Sequence, residues 1–253
     1  MGEFTSYFDT NDYTLNPTSK IGILIIHGFS GTTFEVLELA HFLANKGFRV
    51  VAKNLPGHGT SIVDCNKSRY DDWINFVSAE TGELLSSCDK VYCIGISMGG
   101  VLALYLGSVM PLSGVIAGAS VFQFRNDFLT RYVNTVFCHF IPSLDKKSQF
   151  PKSARKGRYY GYNRYPTIAL NQMRKLTNLV KSKLHNISCR VLLIHSTHDK
   201  TSLMKNLDYL TEVIDNSILD TLVVNRSSHA LFDSSPDQEQ IFNKCIKFLK
   251  NEL

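Results

Sequence analysis

The chain has 253 residues, 44% of them hydrophobic and 19% charged, with a net charge of +5. This is the composition of a soluble globular protein rather than a disordered or membrane one, and no apolar run approaches the ~20 residues that a bilayer requires. Cys65, Cys88, Cys93, Cys138, Cys189 and Cys245 form no CxxC pair or regular framework, and the first residues lack the basic-then-apolar order of a signal peptide, so a reducing, cytoplasmic setting is expected.

Residues 1–20 are polar and turn-rich, with Asn16-Pro17-Thr18-Ser19 as a loop and room for a short edge strand near Tyr13. The run from Ile21 to Ile26 is apolar and rich in isoleucine, the pattern of a strand buried on both faces. After His27-Gly28-Phe29-Ser30-Gly31, apolar residues at helical spacing predict a helix over 34–46, stopped by Gly47. A strand over 48–52 runs into the loop Leu55-Pro56-Gly57-His58-Gly59, and a helix is predicted over 71–86. Val91-Tyr92-Cys93-Ile94 is the next strand; Gly95-Ile96-Ser97-Met98-Gly99 then turns directly into the apolar helix that begins at Val101. A further strand is predicted over 112–119.

This alternation predicts an α/β fold with a mostly parallel sheet, right-handed crossovers and helices on both faces. From 121 to 187 the rhythm breaks into a stretch dense in Phe, Tyr, Lys and Arg, with helical pieces near 125–140 and 166–184 and no strands expected. An insertion after the C-terminal end of a strand lies over the edge where such folds place their sites, so 121–187 reads as a cap on a core made of 1–120 and 188–253. The core resumes with a strand over 191–195, a helix over 202–213, a strand over 219–224 and a closing helix over 236–253.

G-x-S-x-G between a strand and a helix puts a serine on a tight turn with its Oγ clear of the sheet, which suits a nucleophile. A serine hydroxyl needs a base, and the base needs an orienting carboxylate. Asp199 falls on the loop after the 191–195 strand and His229 on the loop after the 219–224 strand. Ser97, Asp199 and His229 thus stand in the order this fold type uses, each just past a different strand. Rival histidines read otherwise: His195 as strand core, His198 as too close in sequence to Asp199 to be its partner, and His27 and His58 as rings that shape their loops. The backbone N–H groups of Phe29 and Met98 are the expected oxyanion donors, and Phe29, Met98, Phe122 and Phe124 are expected to line an apolar acyl pocket.

Together, His27-Gly28-Phe29, Leu55-Pro56-Gly57-His58-Gly59, Gly95-Ile96-Ser97-Met98-Gly99-Gly100, the Asp199 loop and Ser228-His229 resemble the α/β-hydrolase superfamily. Within it the chain is similar to the monoacylglycerol lipase and carboxylesterase branch. The resemblance implies the α/β-hydrolase fold with an inserted lid and makes Ser97 the nucleophile, His229 the base, Asp199 its orienter, and the Phe29 and Met98 amides the oxyanion hole. Ser196-Thr197-His198 stands where the branch often carries a Gly-containing turn.

The expected activity is hydrolysis of small-molecule carboxylic esters, short- to medium-chain or monoacylglycerol-like, through an acyl-enzyme on Ser97. Acyl transfer to an alcohol, thioester cleavage and, on other grounds, a non-catalytic binding module remain alternatives. No cofactor is called for; zinc-ligand spacing, nucleotide-binding glycine motifs and nucleic-acid-binding motifs are absent. From Lys146 to His198 the chain carries twelve Lys or Arg and no Asp or Glu, interleaved with Phe150, Tyr159, Tyr160, Tyr162 and Tyr165. The ordinary reading is a solvated surface; the sharper one is contact with an anionic lipid surface.

Overall fold

The computed structural model describes residues 11–146 and 161–251. A seven-stranded sheet has the order β1-β3-β2-β4-β5-β8-β9, built from β1 (Tyr13–Leu15), β2 (Ile21–Ile26), β3 (Arg49–Ala52), β4 (Lys90–Ile96), β5 (Gly114–Gly118), β8 (Arg190–Ser196) and β9 (Leu219–Val224). All neighbours are parallel except the edge pair β1 and β3.

The apolar runs become strands because both faces are covered. In β2, Ile23 and Ile25 point into one core with Leu39 and Leu43 of α1 (Leu37–Asn45) and Phe242 and Phe248 of α8 (Gln238–Lys250). Leu24 and Ile26 point into the other, with Trp73 and Val77 of α3 (Tyr70–Ser87) and Val101 and Leu102 of α4 (Met98–Val109). Each fully buried aliphatic side chain contributes about 1.5–3 kcal/mol.

Several boundaries differ from the sequence expectation. The helix predicted from 34 opens as a 3-10 turn, Thr33–Val36, before α1. A short helix, α2 (Ile62–Lys67), was not anticipated; its signal is Ser61, whose hydroxyl caps the Asp64 N–H at 3.1 Å. The helix expected from Ser202 begins later, as α7 (Lys205–Val213). Ser202 is engaged instead, donating its N–H to Asp199 and its hydroxyl to the Ser120 carbonyl at 2.8 Å.

Between β5 and β8 the chain forms α5 (Asn134–Phe137), preceded by a wider turn over Leu129–Val133, and the long helix α6 (Thr167–Lys181). It also holds strands that the sequence did not announce: β6 (Ser143–Asp145) pairs antiparallel with β7 (Arg164–Pro166). Three-residue strands are too short to show a period, and β7 ends in a proline, which suits an edge. This segment is stitched to the core at named points. The Tyr162 hydroxyl donates to the Gly57 carbonyl at 2.7 Å. The Asn66 side chain donates to the Pro142 carbonyl at 2.7 Å and accepts the Ile168 and Ala169 N–H groups at 3.1 Å.

Candidate active site

Ser97 stands between β4 and α4 at φ 56°, ψ −115°, a conformation that costs a non-glycine residue about 1–3 kcal/mol. The turn is held because the Ser97 N–H donates to the Gly118 carbonyl at 2.8 Å and the flanking glycines are in close backbone contact. A Cβ on Gly95 would lie 2.1 Å from the Gly99 carbonyl oxygen, and one on Gly99 would lie 2.1 Å from that of Ile26. The Ser97 hydroxyl makes no hydrogen bond to a described residue.

The structure brings Asp199 and His229 together: His229 Nδ1 lies 2.7 Å from Asp199 Oδ2. The other oxygen, Oδ1, accepts the Thr201 N–H at 2.7 Å and the Ser202 N–H at 2.9 Å. Asp199 is thus both a turn cap and a histidine partner, and the approach through Ser196-Thr197-His198 brings its carboxylate onto His229. Burial raises the Asp199 pKa, but the His229 charge and hydrogen bond and the two backbone donors outweigh this and leave it below the ordinary value. At His229 burial works downward; the Asp199 charge and hydrogen bond, with Glu35 adding, outweigh it and hold the imidazole above its ordinary value.

The loop that carries His229 is braced by residues the sequence reading passed over. Asp237 Oδ2 accepts the N–H of Arg226 at 3.0 Å and of Ser227 at 2.9 Å, and the Ser227 hydroxyl at 2.6 Å. Ser196, just ahead of Asp199, donates its hydroxyl to the Ser227 carbonyl. The two loops are therefore tied to each other beside the His229–Asp199 contact.

The loop after β2 takes its shape from His27. The Leu55 N–H donates to His27 Nε2 at 3.0 Å, which leaves Nδ1 to donate to the Gly28 carbonyl at 2.8 Å. Burial lowers the His27 pKa to about 4, so the ring is neutral. Phe29 is edge-on to His58 and Trp73, with ring centroids 6.1 and 6.5 Å away. Met98 is buried at the start of α4, where a helix N–H has no partner within the helix.

Gly28 lies against the elbow: a Cβ on it would be 3.2 Å from Ser97 Cβ and 3.0 Å from Glu35 Oε2. The Glu35 charge also acts on His229, raising its pKa. Phe122 and Phe124 are buried in the same apolar cluster as Met98 and Phe29, with the Phe122 ring against Tyr209 at 6.0 Å. Asn206 fixes this start of the insertion, its Oδ1 accepting the Phe122 and Gln123 N–H groups at 2.7 and 2.6 Å.

The rival histidines make no hydrogen bond to Asp199 among the described residues. His195 is buried with Nε2 at 2.8 Å from the Ser202 carbonyl, and His198 is exposed beside Thr197. Among the described residues no group of three or more His, Cys, Asp or Glu is placed to hold a metal. Of the basic stretch, Lys147, Lys152, Arg155, Lys156 and Arg158, with Phe150, Tyr159 and Tyr160, lie outside the described residues. Tyr162 is fully buried rather than on a surface, because its hydroxyl is drawn onto Gly57 and Thr60.

Comparison with known proteins agrees with this architecture. A thermostable monoacylglycerol lipase of Bacillus sp. (strain H-257) is 27% identical over 237 residues, covering 90% of each chain. A structure from work on LipS and LipT, two metagenome-derived lipolytic enzymes, superposes with a TM-score of 0.84 at 22% identity, covering 96% of this chain and 98% of that one. The monoacylglycerol lipase of Paleococcus ferrophilus superposes with a TM-score of 0.79 at 16% identity, over 97% of this chain and 100% of its own. Residues 23–239 match the Alpha/beta hydrolase family, and the chain belongs to that family.

Proposed function

We propose that the protein is a serine hydrolase of carboxylic esters, with Ser97 as nucleophile, His229 as base and Asp199 as its orienter. The observation that carries this is the 2.7 Å contact between His229 Nδ1 and Asp199 Oδ2, taken together with the strained turn at Ser97. Asp199 fixes the proton on Nδ1, so Nε2 is free to accept one. Ser97 Oγ turns onto Nε2 when substrate is bound, since such contacts often tighten only in the complex. As Oγ bonds to the acyl carbon, its proton passes to Nε2 and the carbonyl oxygen takes the negative charge. The Phe29 and Met98 N–H groups hold that charge. The intermediate collapses by breaking the bond to the alcohol oxygen, which leaves with the proton from Nε2; water then repeats the sequence and releases the acid.

The relatives named as monoacylglycerol lipases support a short- to medium-chain or monoacylglycerol-like ester as substrate. In this reading Phe29 and Met98 line the acyl pocket with Phe122 and Phe124, and 121–187 acts as its cap; the support is that these four side chains share one apolar cluster. A fluorophosphonate probe should label Ser97 alone, and a panel of p-nitrophenyl esters and monoacylglycerols should give the acyl range. An unlabelled Ser97 would favour a binding module. Ester product in the presence of an acceptor alcohol would favour acyl transfer, and preferential thioester turnover a thioesterase.

The pH dependence of kcat/KM follows from the sign of the His229 shift. Only the neutral ring accepts the serine proton, so activity rises with pH through the His229 titration. Asp199 and Glu35 hold that titration above the ordinary histidine value of about 6.5, and the acid limb should lie there. Asp199→Asn should move the midpoint down while lowering the plateau on the order of 10⁴-fold. An acid limb well below 6.5 in the parent enzyme would contradict the coupling.

A reducing setting is supported by the six cysteines, all free thiols; no helix among the described residues is long and apolar enough to cross a membrane. Contact with an anionic lipid surface is supported by the basic stretch and by exposed Phe128, Tyr132, Phe137 and Phe140, the last 81% exposed. Rings that enter an apolar layer beside cations at its boundary suit such a surface. The protein should co-sediment with anionic vesicles at low salt more than with neutral ones. Phe128→Ser with Phe140→Ser should remove this without changing turnover of a soluble short-chain ester, and equal binding to both vesicle types would refute the contact.

A further inference from the structure

Glu35 is an acid in an apolar helical face, only 6% exposed, between Phe34 and the fully buried Val36. A buried charge is a poor source of stability, since apolar residues of the same volume often do as well or better. Its position is nonetheless closely built. Glu35 Oε2 accepts the Gly28 N–H at 2.6 Å. A Cβ on Gly28 would lie 3.0 Å from that oxygen and one on Gly31 2.8 Å, so the loop has glycine on both sides of the carboxylate.

The opposite flank of Phe29 is held from the insertion. Lys146, 8% exposed and next to β6, donates from Nζ to Ser30 Oγ at 2.7 Å. The Tyr162 N–H donates to the Ser30 carbonyl at 3.0 Å, and a Cβ on Gly161 would lie 2.1 Å from that carbonyl oxygen. Ser30 itself has φ 59°, a conformation that persists only where its surroundings enforce it.

We propose that Glu35 and Lys146 are positioning residues for the oxyanion hole: one fixes the residue before Phe29 from the core, the other the residue after it from the insertion, and together they aim the Phe29 N–H. This rests on the ester-hydrolase reading. Glu35 touches no substrate and takes no proton in the reaction; it holds the His27–Gly28 peptide plane, one ahead of the plane that carries the Phe29 N–H, whose Gly28 carbonyl accepts from His27 Nδ1 and the Gly31 N–H. The preorganised donor matters because a hole aimed before the charge appears needs no reorganisation in the transition state. Lys146 makes the geometry depend on the insertion, so the segment that covers the acyl group also tensions the loop that stabilises it.

The test compares Glu35→Met with Glu35→Gln, which are similar in size and both uncharged but differ in whether an acceptor oxygen remains. With rates normalised to active-site titre on a short p-nitrophenyl ester, Glu35→Met should lose on the order of 10²-fold in kcat, the scale of a misplacement near 1 Å, with KM within about twofold. Glu35→Gln should stay within about tenfold of the parent. A trifluoromethyl ketone, which forms an oxyanion on Ser97, should lose affinity for Glu35→Met in step with kcat/KM.

Kcat retained within about threefold in Glu35→Met, a loss confined to KM or to active-site titre, or a Gln variant no better than Met would overturn the proposal. Should Glu35→Met not fold, Lys146→Met applies the test from the other flank: about tenfold loss in kcat at unchanged KM is expected, and unchanged kcat overturns it. A parent protein that neither hydrolyses esters nor titrates with the probe refutes the ester-hydrolase reading, and this inference with it. An active parent with an unaffected Glu35→Met refutes this inference alone.

Discussion

Ser97→Ala should lower ester turnover on the order of 10⁶-fold while leaving the thermal midpoint close to that of the parent. The methyl cannot attack, and alanine meets the same backbone requirement at φ 56° as serine does, so the turn and its contact to Gly118 persist. His229→Ala should be nearly as damaging, and the double variant hardly worse, because members of a triad act as a unit and their losses do not add. Steady-state rates on a p-nitrophenyl ester, with circular dichroism melts on the same preparations, decide this. A purified Ser97→Ala protein keeping more than a few per cent of parent activity removes Ser97 from the mechanism. Activity lost in His198→Ala and kept in His229→Ala would reassign the base.

Gly95→Ala should leave little folded protein. The added carbon would sit 2.1 Å from the Gly99 carbonyl oxygen, and neither partner can retreat. Gly95 lies in β4, paired on one side with β2 and on the other with β5, and Gly99 lies in the first turn of α4. Relief would require moving the helix off the strand, at a cost of about 4 kcal/mol or more, a large share of the 5–15 kcal/mol that holds a typical domain. Gly82→Ala is the control: on α3 an added Cβ meets nothing within 4 Å, and alanine there should stabilise by about 0.5–1 kcal/mol. Soluble yield and urea unfolding of the two variants test the contrast. A Gly95→Ala protein as stable as the parent would show that the close helix–strand contact is not what selects glycine.

The core was legible because its signals are local. Runs such as Ile21–Ile26 are apolar on both faces because both faces are covered, and Ser97, Asp199 and His229 stood out because each lies on the turn or loop just past a strand. What stayed hidden depends on pairings across the chain. Lys146 reaches Ser30 over 116 positions, and Asn206 reaches Phe122 over 84, and nothing near either residue announces its partner. The β6–β7 ladder is likewise a pairing of three-residue pieces. Glu35 and Asp237 act close in sequence, yet a single acid in a helix or before one reads as ordinary. Only the glycines at 28 and 31, read together with Glu35, carry a local hint that a carboxylate is seated there.

The insertion leaves after β5 and returns at β8, which are neighbours in the sheet. Its whole length is therefore a detour between adjoining strands, and its sequence can drift across generations without re-registering the sheet or displacing Ser97, Asp199 or His229. If the insertion is the proposed cap, changes within this one segment would alter the acyl range while the core residues keep their places. The freedom has fixed anchorage: whatever replaces the segment must still meet Gly57, Asn66 and Ser30, where Tyr162, Pro142 and Lys146 now make contact. Descendants of this chain should vary most between those moorings and least at them.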